Sequence, residues 1–359
     1  MRVQAFGSYD KDKHPRVAVL LDGLRVHGIE VDECNVPLRL STADRVRLLT
    51  MPWRLPLLAW LLLRTWASLV RQSRALPKPD AVLVGYLGHF DVLLARVLFP
   101  RTTVVHDMLI FAGDTARDRG AGGAQQRLLR LLDLAAVRAS DLVVVDTDEH
   151  LAALPDPAKG VVVPVGATAS WTGPEPVGRG GPLSVVFFGL FTPLQGATVL
   201  GEALARLDPA AVRVTMVGSG QDLEETRRRA GSFPATWLDW VEPADLPGLV
   251  QAHDLCLGIF SAKGKGTRVV PNKVFQGAAA GCALVTSDTP PQRRALGDAA
   301  LLVTAGDAAA LAAALTALAA DPVRLLALRR AAWDLARTAF GPQAVTRPLL
   351  ARLTLEGSR

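Results

Sequence analysis

The lysines of this 359-residue chain are concentrated in one short segment with residue types that suit phosphate binding. Seven of its 40 basic residues are lysine, and three of these, Lys263, Lys265 and Lys273, fall within eleven positions. Two glycines lie between them, and Pro271 suits the first turn of a helix. A glycine-rich loop, a helix N-terminus and the cations Arg268 and Lys273 favour a diphosphate site. The alternative interpretation is a solvated basic loop without a ligand.

A second candidate turn follows the predicted strand 183–188. Thr192 as cap, Pro193 at the first helical position and Gln195 three residues after the cap form a capping-box pattern. The flanking Gly189 and Gly196 leave backbone amides free to contact a phosphate or sugar.

A third turn begins like a dinucleotide-binding fingerprint, with Gly218 and Gly220. Leu223 stands where that fingerprint needs its third glycine, so the turn does not support a nicotinamide cofactor.

In the first half of the chain, candidate residues stand where predicted strands end. His106 and Asp107 close one strand, and Gly7, Ser8 and Tyr9 follow another. Carboxyl ends of parallel strands form the ligand-binding edge of a sheet, so these residues are candidates for handling an acceptor.

One further pattern resembles a metal-binding Asp-x-Asp pair. Asp146 and Asp148 end a predicted strand, and we favour a helix cap over a metal site. No His/Cys cluster has metal-ligand spacing, so neither a metal nor another cofactor is predicted.

The elements that must position these residues alternate between strand and helix through both halves. The first half predicts strands at 2–6, 30–36, 81–85, 102–106, 142–146 and 161–163, and the second at 183–188, 212–217, 237–241, 254–259, 283–287 and 300–303. Residues 166–182 are rich in Gly and Pro. We therefore predict an α/β protein with two doubly wound, Rossmann-like domains and a ligand-binding cleft between them. The predicted ranges are 1–165 and 183–335, a linker at 166–182, and a C-terminal segment at 336–359 that returns to the first domain.

The net charge of +6 is concentrated in residues 41–78, which hold seven basic residues and one acidic residue. The same stretch contains Trp53, Trp60 and Trp66 and an apolar run at 55–63 that Arg64 interrupts. That run is shorter than the roughly 20 residues of a membrane span, and its basic flanks suit an anionic membrane surface. A buried helix with a basic rim is the equal alternative, and no nucleic-acid-binding module is apparent.

The three cysteines are scattered within apolar runs, and the N-terminal residues show no secretory signal pattern. We therefore predict a cytoplasmic protein, in one interpretation peripheral at the inner face of the membrane.

In this order and spacing the motifs resemble the retaining glycosyltransferases of family 4, which have the GT-B fold. The residues that carry the resemblance are Tyr9-Asp10, His14-Pro15-Arg16, Val105-His106-Asp107, Thr192-Pro193-Leu194-Gln195-Gly196, Val217-Gly218-Ser219-Gly220, Val270-Pro271-Asn272-Lys273-Val274-Phe275-Gln276 and the stretch 297–320. The resemblance implies a nucleotide-sugar donor in the C-terminal domain, an acceptor in the N-terminal domain and no required metal.

The chain departs from the family pattern at charged positions. Members usually carry a Glu-x7-Glu pair where this chain has Arg268 and Gln276, and often an Arg and a Lys where it has Leu190 and Gln195. Our hypothesis is that Arg268 and Lys273 supply the missing positive charge. The predicted roles are catalytic for His106, Arg268 and Lys273; donor-binding for Gly189, Thr192, Gln195, Gly196, Gly218, Gly220, Asn272 and Gln276; and acceptor-binding for Gly7, Ser8, Tyr9 and Asp107.

Three other functions stay open at this point. A nucleotide-sugar epimerase or hydrolase would need cleft carboxylates, which the missing Glu pair does not supply. A catalytically degenerate GT-B protein that binds nucleotide or a partner is consistent with that loss. The broken fingerprint at 218–223 disfavours a nicotinamide enzyme.

Overall fold

The computed structural model describes residues 1–11, 15–38, 55–109, 111–113 and 123–357. The chain divides into two compact units. The first contains Met1–Pro164 with Val345–Arg359, and the second contains Val165–Ala344, so the Gly- and Pro-rich residues 166–182 are grouped with the second unit.

The first unit is built on a parallel six-stranded sheet with the order β2-β1-β3-β4-β5-β6. Its strands are β1 (Arg2–Gly7), β2 (Glu30–Asn35), β3 (Ala81–Val84), β4 (Thr103–Asp107), β5 (Leu142–Val145) and β6 (Gly160–Val162). Its helices are α1 (Pro15–Val26), α2 (Leu55–Ala75), α3 (Asp91–Leu98), α4 (Ala124–Ala139), α5 (Asp148–Ala153) and, at the end of the chain, α13 (Pro342–Gly357).

Helices cover both faces of this sheet, which is why its central strands are continuous apolar runs. Leu20 of α1 and Leu349 of α13 pack on one face with Val105 of β4. Leu69 of α2 packs on the other face, where α3 and α4 also contribute core residues.

The second unit repeats this design with the strand order β12-β11-β10-β7-β8-β9, again entirely parallel. Its strands are β7 (Leu183–Phe188), β8 (Val212–Val217), β9 (Thr236–Leu238), β10 (Leu255–Leu257), β11 (Ala283–Ser287) and β12 (Leu301–Val303). Its helices are α6 (Ala197–Leu204), α7 (Leu223–Ala230), α8 (Leu246–Gln251), α9 (Asn272–Ala279), α10 (Pro290–Leu296), α11 (Ala308–Ala320) and α12 (Pro322–Leu335).

The prediction of two parallel, doubly wound sheets is confirmed, and every predicted strand is present with its ends moved by at most three residues. Of the basic segment 41–78, residues 41–54 lie outside the described residues. Within the described ranges, no single helix is both long and apolar enough to cross a membrane; α11 and Pro322–Glu356 meet that requirement only as a bent pair.

Candidate functional site

The second unit holds a buried ammonium group at the carboxyl edge of its sheet. Lys273 occupies the first turn of α9 and is only 5% exposed. Its Nζ donates a hydrogen bond to Gln195 Oε1 at 2.7 Å and lies 3.6 Å from the ring centroid of Phe187. The structure therefore brings Lys273 to the loop that follows β7, as the hypothesis of a compensating cation requires.

Burial lowers the pKa of Lys273 from 10.5 to about 7, and the electrostatic effect of Cys256 acts in the opposite direction. Among the described residues, no carboxylate lies within ion-pair distance of Nζ. A buried cation without an anion is unfavourable, so this site gains free energy from a bound anion.

Three glycines allow the turns after β7 and β8 to pack closely against each other and against Lys273. A Cβ at Gly189 would lie 3.3 Å from Lys273 Nζ. The backbone φ of Gly189 is +132°, a value that glycine adopts readily and other residues rarely adopt. Gly218, with φ +126°, has no room for a Cβ because the carbonyl oxygen of Gly189 occupies that space. A larger residue is excluded at position 220 in the same way, because its Cβ would lie against the carbonyl oxygen of Phe191. The turns after β7 and β8 are therefore interlocked by backbone contacts.

At 192–195 the predicted positions are confirmed, with Thr192 as N-cap and Pro193 in the first helical position, but the predicted capping box is absent. The side chain of Thr192 makes no capping hydrogen bond, and Pro193–Gln195 form one 3-10 turn. Gly196 then takes a left-handed conformation, φ +65°, and α6 begins only after it. Because that reversal separates the turn from the helix, Gln195 cannot cap α6, and its side chain binds Lys273 instead.

The remaining predicted donor-side residues surround the start of α9. Arg268 is half-buried after the 3-10 turn Gly264–Thr267. Asn272 is the first helical residue, and Gln276 is buried one turn beyond Lys273. The predicted donor-binding and catalytic roles of these three residues stay predictions.

In the first unit, His106 and Asp107 end β4 as predicted, but adjacent strand residues point to opposite faces of a sheet. Asp107 accepts a hydrogen bond from Arg16 Nε at 2.8 Å, and both side chains are buried. Arg16 also donates to the carbonyl of Val163 at 2.9 Å. Asp107 thus joins α1 to the sheet. Its predicted contact with an acceptor stays a prediction.

His106 is fully buried, and neither ring nitrogen has a hydrogen-bond partner among the described residues. Burial lowers its pKa well below the ordinary range, and the neighbouring His89 lowers it further. In a neutral imidazole one ring nitrogen donates a hydrogen bond and the other accepts one, so both nitrogens of His106 are available to a ligand.

His106 has neighbours that the sequence reasoning missed. The His89 and His106 rings meet edge to face, with 5.3 Å between centroids. His89 Nε2 lies 3.2 Å from Asp133 Oδ1, and Asp133 accepts hydrogen bonds from the backbone amides of Ala112 and Gly113. His89 lies in the loop before α3, and Asp133 lies in the middle of α4. Neither stands at the end of a predicted strand, which was the pattern that selected the other candidates.

The turn after β1 is held by a carboxylate. Asp91 Oδ2 accepts hydrogen bonds from the amide and the hydroxyl of Ser8, both at 2.7 Å, and a Cβ at Gly7 would lie 3.0 Å from that oxygen. Tyr9 is buried in the core against Gly85. The structure gives Ser8 and Tyr9 packing partners, and their acceptor-binding roles stay predictions.

The helix cap favoured at Asp146–Asp148 is confirmed, with Thr147 as the capping residue, since its Oγ1 accepts a hydrogen bond from the amide of His150 at 3.3 Å. Asp146 instead contacts His150 Nδ1 at 2.5 Å. Over the described part of the chain, no three His, Cys, Asp or Glu side chains are grouped to hold a metal.

Comparison with known proteins identifies the fold. Residues 182–321 match the family model described as glycosyl transferases group 1. The chain superposes on a sucrose-phosphate synthase from Thermosynechococcus elongatus with a TM-score of 0.73 at 15% identity, covering 99% of this chain and 98% of that one. The fold is GT-B.

Two further GT-B structures superpose over similar lengths. The Anabaena protein HepE, in complex with UDP and glucose, gives a TM-score of 0.70 at 15% identity, over 99% of this chain and all of that one. A glycosyltransferase from Rickettsia africae gives 0.64 at 13% identity, over all of this chain and 98% of that one. None of the curated protein sequences compared with the chain matches it.

Proposed function

We propose that this protein is a glycosyltransferase that moves a sugar from a nucleoside-diphosphate sugar to an acceptor hydroxyl. The observation that carries the proposal is the buried Lys273 ammonium, which has no carboxylate partner among the described residues and lies at the glycine turn after β7. The glycosyl transferases group 1 match covers this region, and the HepE structure binds UDP and glucose.

On the donor side, we assign the diphosphate to the space beside Gly189 and Lys273. A bound diphosphate completes the ion pair that the free protein lacks, and Arg268 adds a second cation. The first hydrogen bond at the start of α9 runs from the Val274 amide to the Pro271 carbonyl, and we assign the two preceding amides, of Asn272 and Lys273, to the same anion. Gln276 then reaches the ribose through its side-chain amide.

The proposed reaction retains the anomeric configuration and uses no metal. The bond between the anomeric carbon and the diphosphate oxygen breaks, and a bond to the acceptor oxygen forms on the same face of the sugar. The acceptor proton passes to the departing diphosphate, so no protein base is consumed. Lys273 and Arg268 stabilise the negative charge that develops on the leaving group, and His106 orients the sugar or the acceptor.

We assign the acceptor an apolar or lipid-linked body that carries a free hydroxyl group, met at the cytoplasmic face of a membrane. The support is α2, which contains no acidic residue and exposes Trp60 among leucines and arginines.

A thermal-shift panel tests the donor assignment. The diphosphates of uridine, guanosine, thymidine and adenosine, and a nicotinamide dinucleotide, are added to the wild type and to Lys273→Met. At 100 times its dissociation constant, the correct nucleotide stabilises by about 2.7 kcal/mol. We expect one nucleoside diphosphate to raise Tm and Lys273→Met to abolish that shift. A nicotinamide response, or a shift that survives in the variant, contradicts the assignment.

Turnover tests the rest of the proposal. With the nucleotide identified, product formation is followed in the presence of a chelator, and the anomeric configuration is read from proton coupling constants. Inversion or loss of activity with chelator rejects the mechanism.

Because Arg268 and Gln276 replace the usual glutamates, the second candidate is a degenerate nucleotide-binding protein. Nucleotide binding with no turnover on any acceptor favours that candidate.

A further inference from the structure

The three helices on one face of the first sheet share a surface chemistry. α2, α3 and α4 contain two acidic residues in total, Asp91 and Asp133, and both are buried. Their exposed charges are therefore all positive, at Arg64, Arg71, Arg74, Arg127, Arg130 and Arg138.

Exposed apolar side chains concentrate on the same layer. Of the thirteen large hydrophobic residues exposed in the described chain, six lie on these helices: Leu57, Trp60, Leu63, Val97, Leu128 and Leu131. Trp60 is 54% exposed, Leu63 64% and Leu131 62%. Such a concentration on one face marks an interaction surface rather than scattered exposure.

The positions of these residues within the helices show which edge of the sheet they lie toward. In a parallel sheet the connecting helices run opposite to the strands, so α2 and α4 begin at the carboxyl edge of the sheet. Leu57, Trp60 and Leu63 lie in the first half of α2, and Leu128 and Leu131 in the first half of α4. Five of the six exposed apolar residues thus lie toward the same sheet edge as His106 and Ser8, and Val97, in the last turn of α3, lies toward the opposite edge.

We propose that the layer formed by α2, α3 and α4 docks on an anionic lipid bilayer. Arg64, Arg127 and Arg130 stand among the exposed leucines and Trp60, and the other exposed arginines continue the same layer. This combination matches a surface with negative headgroups above an apolar interior. The Arg64 guanidinium lies over the Trp60 ring at 5.6 Å, an arrangement that keeps the charge at headgroup level while the ring inserts.

A second copy of the chain fits the layer less well. A symmetric dimer through this face would bring arginines against arginines, and these three helices have no exposed carboxylate to pair with them. The docking itself does not depend on the reaction. Its role would be to deliver a membrane-borne acceptor to the carboxyl edge of the sheet, and that role rests on the proposed function.

Vesicle flotation of the full chain tests the proposal. We expect binding to phosphatidylcholine vesicles with about 30% phosphatidylglycerol, and weak binding to phosphatidylcholine alone. Raising the salt from about 0.1 M to about 1 M shortens the screening length from about 10 to 3 Å and should weaken binding. Failure of the wild type to float with anionic vesicles at low salt overturns the proposal.

Matched variants locate the surface. Arg64→Gln, Arg71→Gln and Arg74→Gln together should lower the vesicle partition coefficient about 100-fold, at about 1 kcal/mol for each charge near the surface. A control with Arg206→Gln, Arg213→Gln and Arg324→Gln, exposed residues of the second unit, removes the same net charge and should change it by less than about twofold. Equal losses in the two variants contradict the assignment.

The apolar contribution has its own variant, Leu57→Ser with Trp60→Ser and Leu63→Ser. It should abolish flotation while the nucleotide-induced shift in Tm stays as in the wild type, so failure of docking and failure of the donor site are read separately. If sedimentation shows that the wild type forms a dimer that this variant dissolves, the face belongs to a second copy, and the proposal is overturned.

Discussion

Replacing Lys273 with methionine should stabilise the free protein while it removes nucleotide binding. In the free protein the ammonium is almost fully buried, and its hydrogen bond to Gln195 is no substitute for a carboxylate. Methionine has a similar volume and length and carries no charge, so it fills the same space without the desolvation cost.

The magnitude follows from the depressed pKa. A change from 10.5 to about 7 corresponds to about 5 kcal/mol of unfavourable free energy at 1.36 kcal/mol per pKa unit. The variant loses the hydrogen bond to Gln195 and the contact with the Phe187 ring, about 1–2 kcal/mol each. The net stabilisation is about 2 kcal/mol, which raises Tm by about 5 °C for a unit of this size.

The pH dependence distinguishes this cause from ordinary packing. Between pH 7 and 10.5 the unfolded chain holds the Lys273 proton and the folded chain does not, so wild-type stability rises with pH in this window. Below pH 7 both states are protonated, and the penalty is fully present. The stability advantage of Lys273→Met should therefore be greatest below pH 7 and disappear near pH 10.

Thermal denaturation of both proteins from pH 6 to 10 measures the effect, and the Kd of the responding nucleotide is followed in parallel. If only the ammonium binds the diphosphate, Kd rises up to tenfold per pH unit above about 7, and Lys273→Arg, which stays charged, flattens that profile. A methionine variant that is less stable by the same amount at every pH would refute the reasoning.

Other contacts give independent predictions. Gln195→Lys places a second ammonium beside Lys273, so Tm should fall by several degrees and recover when Lys273→Val is added; strictly additive changes would contradict their contact. Gly218→Ala inserts a Cβ against a backbone carbonyl at φ +126°, so urea denaturation should show a loss of more than about 2 kcal/mol and weaker nucleotide binding. Arg16→Met leaves Asp107 buried without its partner and should cost about 3–5 kcal/mol, much of it recovered by adding Asp107→Leu; no recovery would mean that the two side chains act separately.

The parallel sheets could be predicted from the sequence because their strands are buried on both faces. β3 and β5 are uninterrupted apolar runs, and the turn residues that bound them are polar or glycine. Such a pattern leaves little freedom to a strand, so the predicted ends differ from the observed ones by few residues.

The side-chain partners could not be predicted from local patterns. Thr192 and Gln195 have the spacing of a capping box, but the Gln195 amide donates to the backbone carbonyl of Thr192 in a 3-10 turn rather than to the Thr192 side chain. The partner that Gln195 binds instead lies 78 residues away along the chain. In the same way, Asp107 stands beside His106 in sequence and pairs with Arg16 across the sheet face.

The long-range pairing of Gln195 with Lys273 bears on whether this turn binds an anion, in a transferase or in a nucleotide-binding protein without turnover. A protein that keeps only the fold needs no charge at position 273, where an apolar side chain would be more stable than a buried ammonium. This chain has a lysine at position 273 and a neutral glutamine at position 195. A positive charge therefore lies beside Gly189, and the residue that carries it belongs to α9 rather than to the loop after β7. A charge held at this cost to stability supports the proposed anion site beside Gly189, and the loss of nucleotide binding in Lys273→Met tests it.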